Sequence, residues 1–466
     1  MGTTESAPNR RIGIRHRVKK TAEGESRPTQ VAIIQGDEVR PFDLEDEDAE
    51  LDFALGRFPT AFRAVTAEDD ISGIPPHHVK WYKLKKDERT TGHIRVEGKE
   101  RYIAVKVPAA YDGLQAGDVV AMTLGGSGDI LAYALSRRAG EIGAKVLRIP
   151  PFVLKEYREG AKDDDATNLA KLVGTRPELF YETGRRDRAL ITVVESMRAR
   201  TDAMKARIAC EQRLRQHLIG QVFCEPEGLY PEGGIEKAFE QAKASDNILI
   251  ALTQEEQARE RAVVKALEAL DIYRELFVPV TGCGPMIAAR LISAILDIRR
   301  FKSKAKLKAF CGTHLTRAEE GGEQRFARRR GGQVANWSGD ARQALYLLGE
   351  QWNRRPDSEW GQKLLAYKRM FRVAHPVEAC NKCGVPWEQC VKQNQDILAD
   401  PPDYLKESVP PGTKVLVGRH SKRYTDGHIH RMGLWRTRTK FVERLWSRWW
   451  AFERKRQAAE GDKAAA

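Results

Sequence analysis

The sequence predicts an α/β amino-terminal domain followed by long helices and an all-α carboxy-terminal domain. Three observations support this division. Short apolar runs of strand length fill residues 31–149, apolar residues at four- and three-residue spacing run through residues 185–220, and residues 278–372 are rich in Ala, Leu and Arg. A chain of 466 residues is long enough for about three domains, so each segment can build its own core.

The composition is that of a globular protein with a basic surface. Hydrophobic residues make up 41% and charged residues 31%, which excludes a mainly disordered or fibrous chain. Lys and Arg number 79 against 65 Asp and Glu, and the net charge of +14 predicts a polyanionic partner. The longest apolar runs are far shorter than the ~20 residues of a membrane-spanning helix. Because the amino terminus also lacks the apolar region of a secretory signal, we expect a cytoplasmic protein without a membrane partner.

The first part of the chain divides into a basic arm and the α/β domain. Residues 1–30 carry clustered Arg and Lys and predict the arm, and we place the α/β domain at residues 31–180. The segment HIRVEGKERYIAVKV has two alternating halves around Glu97-Gly98-Lys99, which predicts a β-hairpin. Between Asp118 and Ile149 the order is strand, GGSGD turn, amphipathic helix and strand. This order predicts a βαβ unit and hence a parallel sheet covered by helices.

Residues 185–277 predict an antiparallel coiled-coil stalk. Residues 185–220 form one predicted helix with an apolar seam at coiled-coil spacing. The second helix is predicted at residues 235–277, because the segment between the two carries the Pro and Gly of a reversing loop. Two ordinary bundle helices are the alternative, since Glu211 and Arg215 interrupt the seam. The seam consists of Leu190, Val194, Met197, Thr201, Met204, Ile208 and Leu218.

The most informative segment is VPVTGCGPMIAARLISAI, at the start of a helical domain that we place at residues 278–372. Gly282 and Gly284 predict a tight turn and Pro285 is typical of a helix start, so the segment predicts a helix-hairpin-helix. Exposed N–H groups at such a turn can hold a phosphate. A plain helical hairpin is the alternative. The basic run RFARRRGG favours nucleic-acid binding, and its candidate residues are Arg325, Arg328, Arg329 and Arg330.

A cysteine-rich insert follows at residues 373–428. The spacing H-x4-C-x2-C-x6-C predicts a structural zinc knuckle, because a Cys-x2-Cys pair lets both sulfurs reach one tetrahedral ion. The fourth ligand is open between the upstream histidine and His420, His428 or His430, and free buried thiols are the alternative. A closed four-ligand site has no open position, so we assign it no catalysis. The predicted ligands are His375, Cys380, Cys383 and Cys390.

The chain ends in a basic helix at residues 429–466. Its tryptophans interleave with arginines, which is compatible with stacking on bases and with anchoring of the helix in a core.

Three segments resemble the transposases of the insertion-sequence one-ten family, relatives of the Piv-type DNA invertases. GCGPMIAARLISAILDIRRFKSKAKLKAFCG, at residues 282–312, and GDARQALYLL resemble the carboxy-terminal domain of that family. AKDDDATNLAKL, at residues 161–172, is similar to the segment that closes its RNase H-like domain. IGIRHRVKKT, at residues 12–21, is similar to its opening strand.

The resemblance implies an enzyme of DNA strand exchange with an RNase H-like amino-terminal domain. It further implies a composite site, in which acidic residues of that domain hold Mg²⁺ and a serine of the carboxy-terminal domain attacks the DNA. A structured guide RNA and a dimer or tetramer of the chain are also implied.

This chain departs from the family pattern at the acids. Arg15 stands where the family has its first aspartate, and Asp129 is the acid nearest to the expected glutamate. Asp165 matches the last aspartate of the third segment, whereas a lysine stands three positions earlier, so Asp163 or Asp164 would have to substitute. A basic residue at a ligand position repels a cation. The predicted candidates for the acidic half of the site are therefore Asp163, Asp164 and Asp165.

The chain also departs from the pattern at the nucleophile. Glu320 aligns with the family serine, and Thr316 is the closest hydroxyl and the predicted candidate. We infer an inherited scaffold with a degraded or rebuilt site. An active recombinase and a descendant that binds nucleic acid without cleaving it are the two hypotheses.

Overall fold

The computed structural model divides the chain into two compact units, Met1–Thr192 and Val193–Ala466. None of the helices in its described part is long and apolar enough to cross a membrane. The described residues are 10–17, 26–66, 68–85, 88, 90–228, 231–317, 324–326, 335–375 and 378–465.

The first unit is built on a mixed six-stranded sheet with a second, smaller antiparallel sheet inserted in the chain. The large sheet has the order β10-β9-β8-β1-β2-β3, and the small one has the order β4-β7-β5, with β6 also paired to β7. The strands are β1 (Arg11–Arg15), β2 (Thr29–Gln35), β3 (Glu38–Leu44), β4 (Phe58–Ala64), β5 (Lys80–Lys83), β6 (Ile94–Glu97), β7 (Glu100–Asp112), β8 (Val119–Thr123), β9 (Lys145–Ile149) and β10 (Tyr181–Glu182).

Five α-helices begin in the described part of this unit. They are α1 (Glu47–Ala54), α2 (Asp129–Ile142), α3 (Pro151–Tyr157), α4 (Asp165–Thr175) and α5 (Arg185–Phe223), the last of which continues into the second unit. The predicted βαβ unit is confirmed, because β8 and β9 are parallel and α2 connects them. The predicted hairpin is also confirmed, as β6 and β7 pair on either side of Gly98.

The prediction of a parallel sheet is only partly correct. β1 is parallel to β8, but it is antiparallel to β2, and β2 is antiparallel to β3. The physical reason is the short connection at Gly36, whose φ of 60° closes a two-residue turn between β2 and β3. The sheet is therefore mixed, and β1 lies in its middle.

Strand β1 is the point at which helix α4 comes closest to the sheet. Ile12 and Ile14 point to the core on one face, with the buried residues of α2. Gly13 points to the other face, where a Cβ atom would lie 1.8 Å from the carbonyl oxygen of Ala166 and 2.6 Å from the amide nitrogen of Ala170. Any side chain at position 13 would therefore push α4 away from the sheet.

Replacing Gly13 by Ala should destabilise the first unit by roughly 3 kcal/mol, because the added methyl meets rigid helix backbone. The measurement is the free energy of unfolding in urea. Gly140→Ala is the matched control: this glycine lies in α2 with open space around its Cβ position, and we expect the change to leave stability unchanged or slightly higher. Equal stability of the two variants would contradict the close approach of α4 to β1.

The second unit is largely helical. Its helices after α5 are α6 (Gly234–Ser245), α7 (Asn247–Glu268), α8 (Pro285–Ile295), α9 (Lys304–Phe310), α10 (Gly339–Arg354), α11 (Glu359–Ala374), α12 (Asp403–Lys406) and α13 (Asp426–Ala465). Two hairpins complete the described part, and their strands are β11 (Leu315–Arg317), β12 (Gln324–Phe326), β13 (Asp396–Ala399) and β14 (Val415–Arg419).

Helices α5 and α7 run antiparallel to each other. Arg200 pairs with Glu260 at 2.5 Å and Arg207 pairs with Glu256 at 2.5 Å, so residue numbers rise along one helix as they fall along the other. The predicted helix over residues 235–277 is broken, because Asp246 is extended and caps the start of α7 through Leu249 N at 2.6 Å. The predicted seam is buried at Met197 but 41% exposed at Ile208. A coiled coil along the whole stalk stays a prediction.

Aromatic side chains hold α13 against the other carboxy-terminal helices. The rings of Trp352 and Trp360 stack at 5.3 Å, and each also contacts the ring of Phe441 on α13. The indole nitrogens of Trp446 and Trp450 donate to the carbonyl of Phe301 at 3.1 and 3.3 Å. These two indoles are therefore anchors of the terminal helix.

A partly buried ion pair links α9 to α13. Glu443 accepts hydrogen bonds from Lys308 and Lys440 at 2.9 and 2.8 Å. Burial opposes ionisation of this carboxyl group, but the two ammonium groups outweigh it and lower the pKa of Glu443 to about 2.

The stability that Glu443 contributes should depend on pH with a definite sign. Its folded pKa lies below its ordinary value of 4.5, so the contribution is complete above pH 4.5 and is lost as the pH falls toward about 2. We therefore expect Glu443→Gln to be less stable than the wild type at pH 7, with a difference that shrinks below pH 4.5. Urea unfolding between pH 3 and pH 7 measures this difference in stability.

Glu255→Gln, which breaks an exposed pair on α7, is the control and should cost under about 1 kcal/mol. A difference that does not change with pH would contradict the assignment.

Candidate functional site

The predicted acid Asp163 is neutralised by arginines. Its Oδ1 lies 3.0 Å from Arg15 Nη2 and 2.5 Å from Arg27 Nη1. Arg15 ends β1, and its other nitrogen donates to Gln30 at 2.7 Å. A guanidinium group therefore stands where the family resemblance predicts a metal-binding carboxylate.

The other two predicted acids also accept hydrogen bonds from groups within the protein. Asp165 is buried at the start of α4 and accepts two parallel hydrogen bonds from Arg158, at 2.6 and 2.8 Å. Such a bidentate pair is strong and uses both carboxylate oxygens. Asp164 accepts a hydrogen bond from the backbone N–H of Ala161 at 3.2 Å and so closes the turn before α4.

The region of the expected family glutamate has the same character. Asp129, the first residue of α2, is buried and pairs with Arg148 of β9. Arg148 also donates to the carbonyl of Thr123 at 3.1 and 3.2 Å, which fixes the guanidinium group below the GGSGD turn. This carboxylate is thus held by a cation within the protein.

These residues do not fit the Mg²⁺ ion that the family resemblance implies. A divalent cation needs several oxygen ligands around it, and the carboxylates of Asp129, Asp163 and Asp165 are each paired with an arginine. Within the described ranges, none of the three predicted acids belongs to a group of three or more potential ligand side chains that lie within 4.8 Å of one another.

A polar cluster at the end of β1 was not predicted from the sequence. Glu50 of α1 accepts a hydrogen bond from Thr29 at 2.5 Å and lies 3.3 Å from Nε2 of His16, whose Nδ1 lies 2.9 Å from Ser127 Oγ. Burial opposes ionisation of Glu50, but the contacts with His16, Thr29 and Arg17 outweigh it and lower its pKa. The sequence held no signal for this cluster, because its members come from four separate segments.

A second cluster joins Asp52, His77 and His78. Both histidines place Nε2 at Oδ2 of Asp52, at 2.8 and 2.5 Å, while Arg57 donates to Oδ1 at 2.8 Å. Burial opposes ionisation of Asp52, but these hydrogen bonds outweigh it and lower its pKa. With a guanidinium group on the same carboxylate, the cluster is best described as a hydrogen-bonded contact that ties α1 to the loop before β5.

The three clustered cysteines meet one histidine. Nδ1 of His420 lies 3.3 Å from Sγ of Cys380, 3.9 Å from Sγ of Cys383 and 3.8 Å from Sγ of Cys390. The sulfurs of Cys383 and Cys390 are 3.5 Å apart. A tetrahedron with Zn–S bonds of about 2.3 Å has edges of about 3.8 Å, so the donor set fits a zinc ion.

Local backbone structure brings these ligands together. The amide of Cys380 donates to the carbonyl of Val385 at 2.7 Å, and Gly384, with a φ of 73°, turns the chain between them. The hairpin of β13 and β14 then returns the chain, and His420 follows the last residue of β14. Burial alone would raise the pKa of the Cys380 thiol, but backbone hydrogen bonds from Cys383 and Lys382 stabilise the thiolate and lower the pKa to about 6.

The predicted fourth ligand, His375, does not join this cluster. Its imidazole stacks on the ring of Tyr424, with centroids 3.8 Å apart and planes 10° from parallel. His420, one of the alternatives that the sequence left open, joins the three cysteines instead. The spacing of His375 suggested a ligand only because the sequence does not show the hairpin that delivers a histidine from downstream.

The predicted glycine turn lies at the start of α8. Gly282 has a φ of 87°, and a Cβ there would lie 2.9 Å from the Cβ of Gln351, so the turn packs closely on α10. Gly284 is exposed and precedes Pro285, the first residue of α8. The turn is thus open to solvent at one glycine, and its role in phosphate binding stays a prediction.

The remaining predicted residues lie in or near the hairpin of β11 and β12. The strands place Thr316 opposite Arg325 in the pairing register. Only the backbone is described at these two positions. Arg328, Arg329 and Arg330 lie outside the described residues.

Comparison with known families identifies the helical segment around this hairpin. Residues 274–359 match the family model described as Transposase IS116/IS110/IS902 family. This segment is a transposase domain of that family. It contains α8, α9 and α10 entirely and ends at the first residue of α11. The match indicates a role in DNA transposition, which requires DNA binding. No curated protein matches the chain.

Full-length protein should contain about one zinc per chain, measured by elemental analysis. His420→Ala should lose most of this zinc and become sensitive to protease between α11 and α13, because one of four ligands is gone. His375→Ala is the matched control and should keep the metal. Less than about half an equivalent in the wild type, or equal loss in both variants, would contradict the site.

Proposed function

We propose that this protein binds DNA in transposition or site-specific recombination and that its first unit does not support metal-dependent cleavage. The observation that carries the proposal is the contact of Asp163 with Arg15 and Arg27. It places a partly exposed ion pair at the predicted metal-binding corner. Two further pairs, at Asp165 and Asp129, support the same conclusion.

We further propose that the first unit has an RNase H-like fold. The mixed sheet supports this proposal, because β1 has a parallel neighbour on one side and an antiparallel neighbour on the other. The division into arm, RNase H-like domain, stalk, helical domain, cysteine-rich insert and terminal helix belongs to the same proposal. In this arrangement, the zinc module braces the connection between α11 and α13.

The second unit supplies the contacts to DNA in this proposal. The transposase match, the exposed turn at Gly284 and the basic run before α10 support it. A structured RNA that pairs with the target, and a dimer or tetramer of the chain, follow from the family resemblance and complete the proposed assembly.

A second candidate function is that of an active recombinase that uses Thr316. One observation favours it: Thr316 lies on β11, inside the segment that matches the transposase family. Threonine and serine share a hydroxyl, so a covalent link to DNA is chemically available to both.

Full-length protein with a short DNA duplex and with supercoiled plasmid separates these functions. We expect binding whose affinity falls steeply with salt, as phosphate contacts require. We also expect no nicked DNA and no protein–DNA adduct when Mg²⁺ is added. This should hold with or without RNA transcribed from the DNA that flanks the gene. Binding is measured by fluorescence anisotropy, and adducts are detected on denaturing gels.

Two outcomes would overturn parts of this proposal. An Mg²⁺-dependent adduct that Thr316→Ala abolishes would establish the active recombinase. Absence of DNA binding at low salt would contradict the role in transposition. Thr313→Ala is the matched control for the adduct, since this buried hydroxyl lies three residues upstream.

A further inference from the structure

Two arginines in the second unit share one tryptophan. Arg342 of α10 places its guanidinium carbon 4.8 Å from the ring centre of Trp435, and Arg438 of α13 places its own 5.8 Å from the same ring. Arg342 also lies over Trp337 at 4.7 Å, and Arg438 lies over Tyr346 at 5.0 Å. The two cations and three aromatic rings form a cluster, which we call the arginine–aromatic cluster.

The positive charge of this cluster is poorly compensated. Arg438 is only 5% exposed, and its nearest carboxylate oxygen, on Glu350, is 3.6 Å from Nη2, which is too far for a hydrogen bond. Its Nε is buried without a partner. Arg342 has a buried Nη1 without a partner, and its guanidinium group makes no hydrogen bond or ion pair with the described part of the chain. Nη2 of Arg438 also donates to the carbonyl of Tyr346 at 3.3 Å, but this neutral oxygen does not compensate the charge.

The surroundings show the cost of this arrangement. Burial lowers the pKa of Arg438 to about 10, and burial also lowers that of Arg342. The pKa of nearby His314 is lowered by burial and by the charge of Arg342. Buried charges without partners are unfavourable and are concentrated at functional sites. An anion bound here would supply the missing partner.

Two glycines hold the cluster in place. A Cβ at Gly349 would lie 2.4 Å from Nε and 2.7 Å from Nη2 of Arg438, so the guanidinium group rests directly on the backbone of α10. A Cβ at Gly312 would lie 2.9 Å from the ring of Trp337 and 3.2 Å from Cδ of Arg342. The cluster is therefore a preformed feature that side chains at these positions would displace.

The cluster is accessible and lies close to the strand that carries Thr316. Tyr346 is 54% exposed and Arg342 is half-buried, so one side is open to solvent. The hydroxyl of Thr439, next to Arg438, donates to the carbonyl of Thr313 at 3.0 Å. Thr316 is three residues further along the chain, which is about 10 Å in extended conformation.

We propose that Arg342 and Arg438 bind a phosphodiester group of the nucleic-acid strand that passes β11, with a base stacked on the exposed ring of Tyr346. A guanidinium group matches a phosphate through two parallel N–H donors, and aromatic rings stack on any base. This inference rests on the proposed DNA-binding function and names the residues that carry out one of its contacts. A purely structural brace between α10 and α13 is the competing explanation.

Arg342→Gln and Arg438→Gln in the full-length protein test the proposal with a short DNA duplex and a single-stranded oligonucleotide. Each should weaken binding about tenfold and reduce the slope of log affinity against log salt by about 1. Arg354→Gln removes the same charge from an exposed position on α10 and is the matched control, with a change of less than about threefold. The melting temperature of the free variants should match that of the control.

Gly349→Ala tests the geometry without changing any charge. The methyl group should displace the guanidinium group of Arg438, while alanine favours the helix, so we expect weaker DNA binding without loss of stability. Inorganic phosphate, compared with chloride at equal ionic strength, should raise the melting temperature of the wild type but not that of Arg342→Gln.

The outcomes separate this inference from the proposed function. If the wild type binds DNA and both glutamine variants bind as the Arg354→Gln control does, the inference is overturned and the proposed function stands. If the glutamine variants melt at a lower temperature but keep their affinity for DNA, the cluster is a structural brace between α10 and α13, and the inference is also overturned. If the wild type does not bind DNA, the proposed function itself fails.

Discussion

The contact between arginine and carboxylate determines what the first unit can do. Metal-dependent cleavage of DNA needs carboxylates that face a shared point without internal partners. Here Asp163, Asp165 and Asp129 each face a guanidinium group, and Gly13 lets α4 approach β1 closely enough for Arg15 and Asp163 to meet. The same elements that would assemble a metal site therefore assemble ion pairs.

The second unit also contains many ion pairs, but two of its arginines are poorly compensated. Its core is held by aromatic contacts between α10, α11 and α13, and beside these contacts the guanidinium groups of Arg342 and Arg438 each have a buried nitrogen without a partner. Within the matched transposase segment and the helix packed on it, these two arginines thus carry positive charge that nearby carboxylates compensate poorly. A protein with this distribution is suited to hold a polyanion at one place without cutting it at another.

The sequence predicted features that depend on neighbours along the chain and missed those that depend on distant residues. The βαβ unit, the hairpin around Gly98 and the three cysteines of the zinc module follow from local spacing. His420 was left open among four histidines, because only the β13–β14 hairpin determines which one reaches the sulfurs. The partners of Asp163 could not be predicted, since Arg15 and Arg27 come from the far end of the unit.

The pair of Arg15 and Asp163 also has an evolutionary consequence. Replacement of Arg15 by aspartate would remove one of the two cations that hold Asp163 and add a second carboxylate to the same corner. Like charges repel, so this variant would be less stable than the wild type unless further changes came first. Under the proposed function, an arginine at this position therefore disfavours a metal site more strongly than an alanine would.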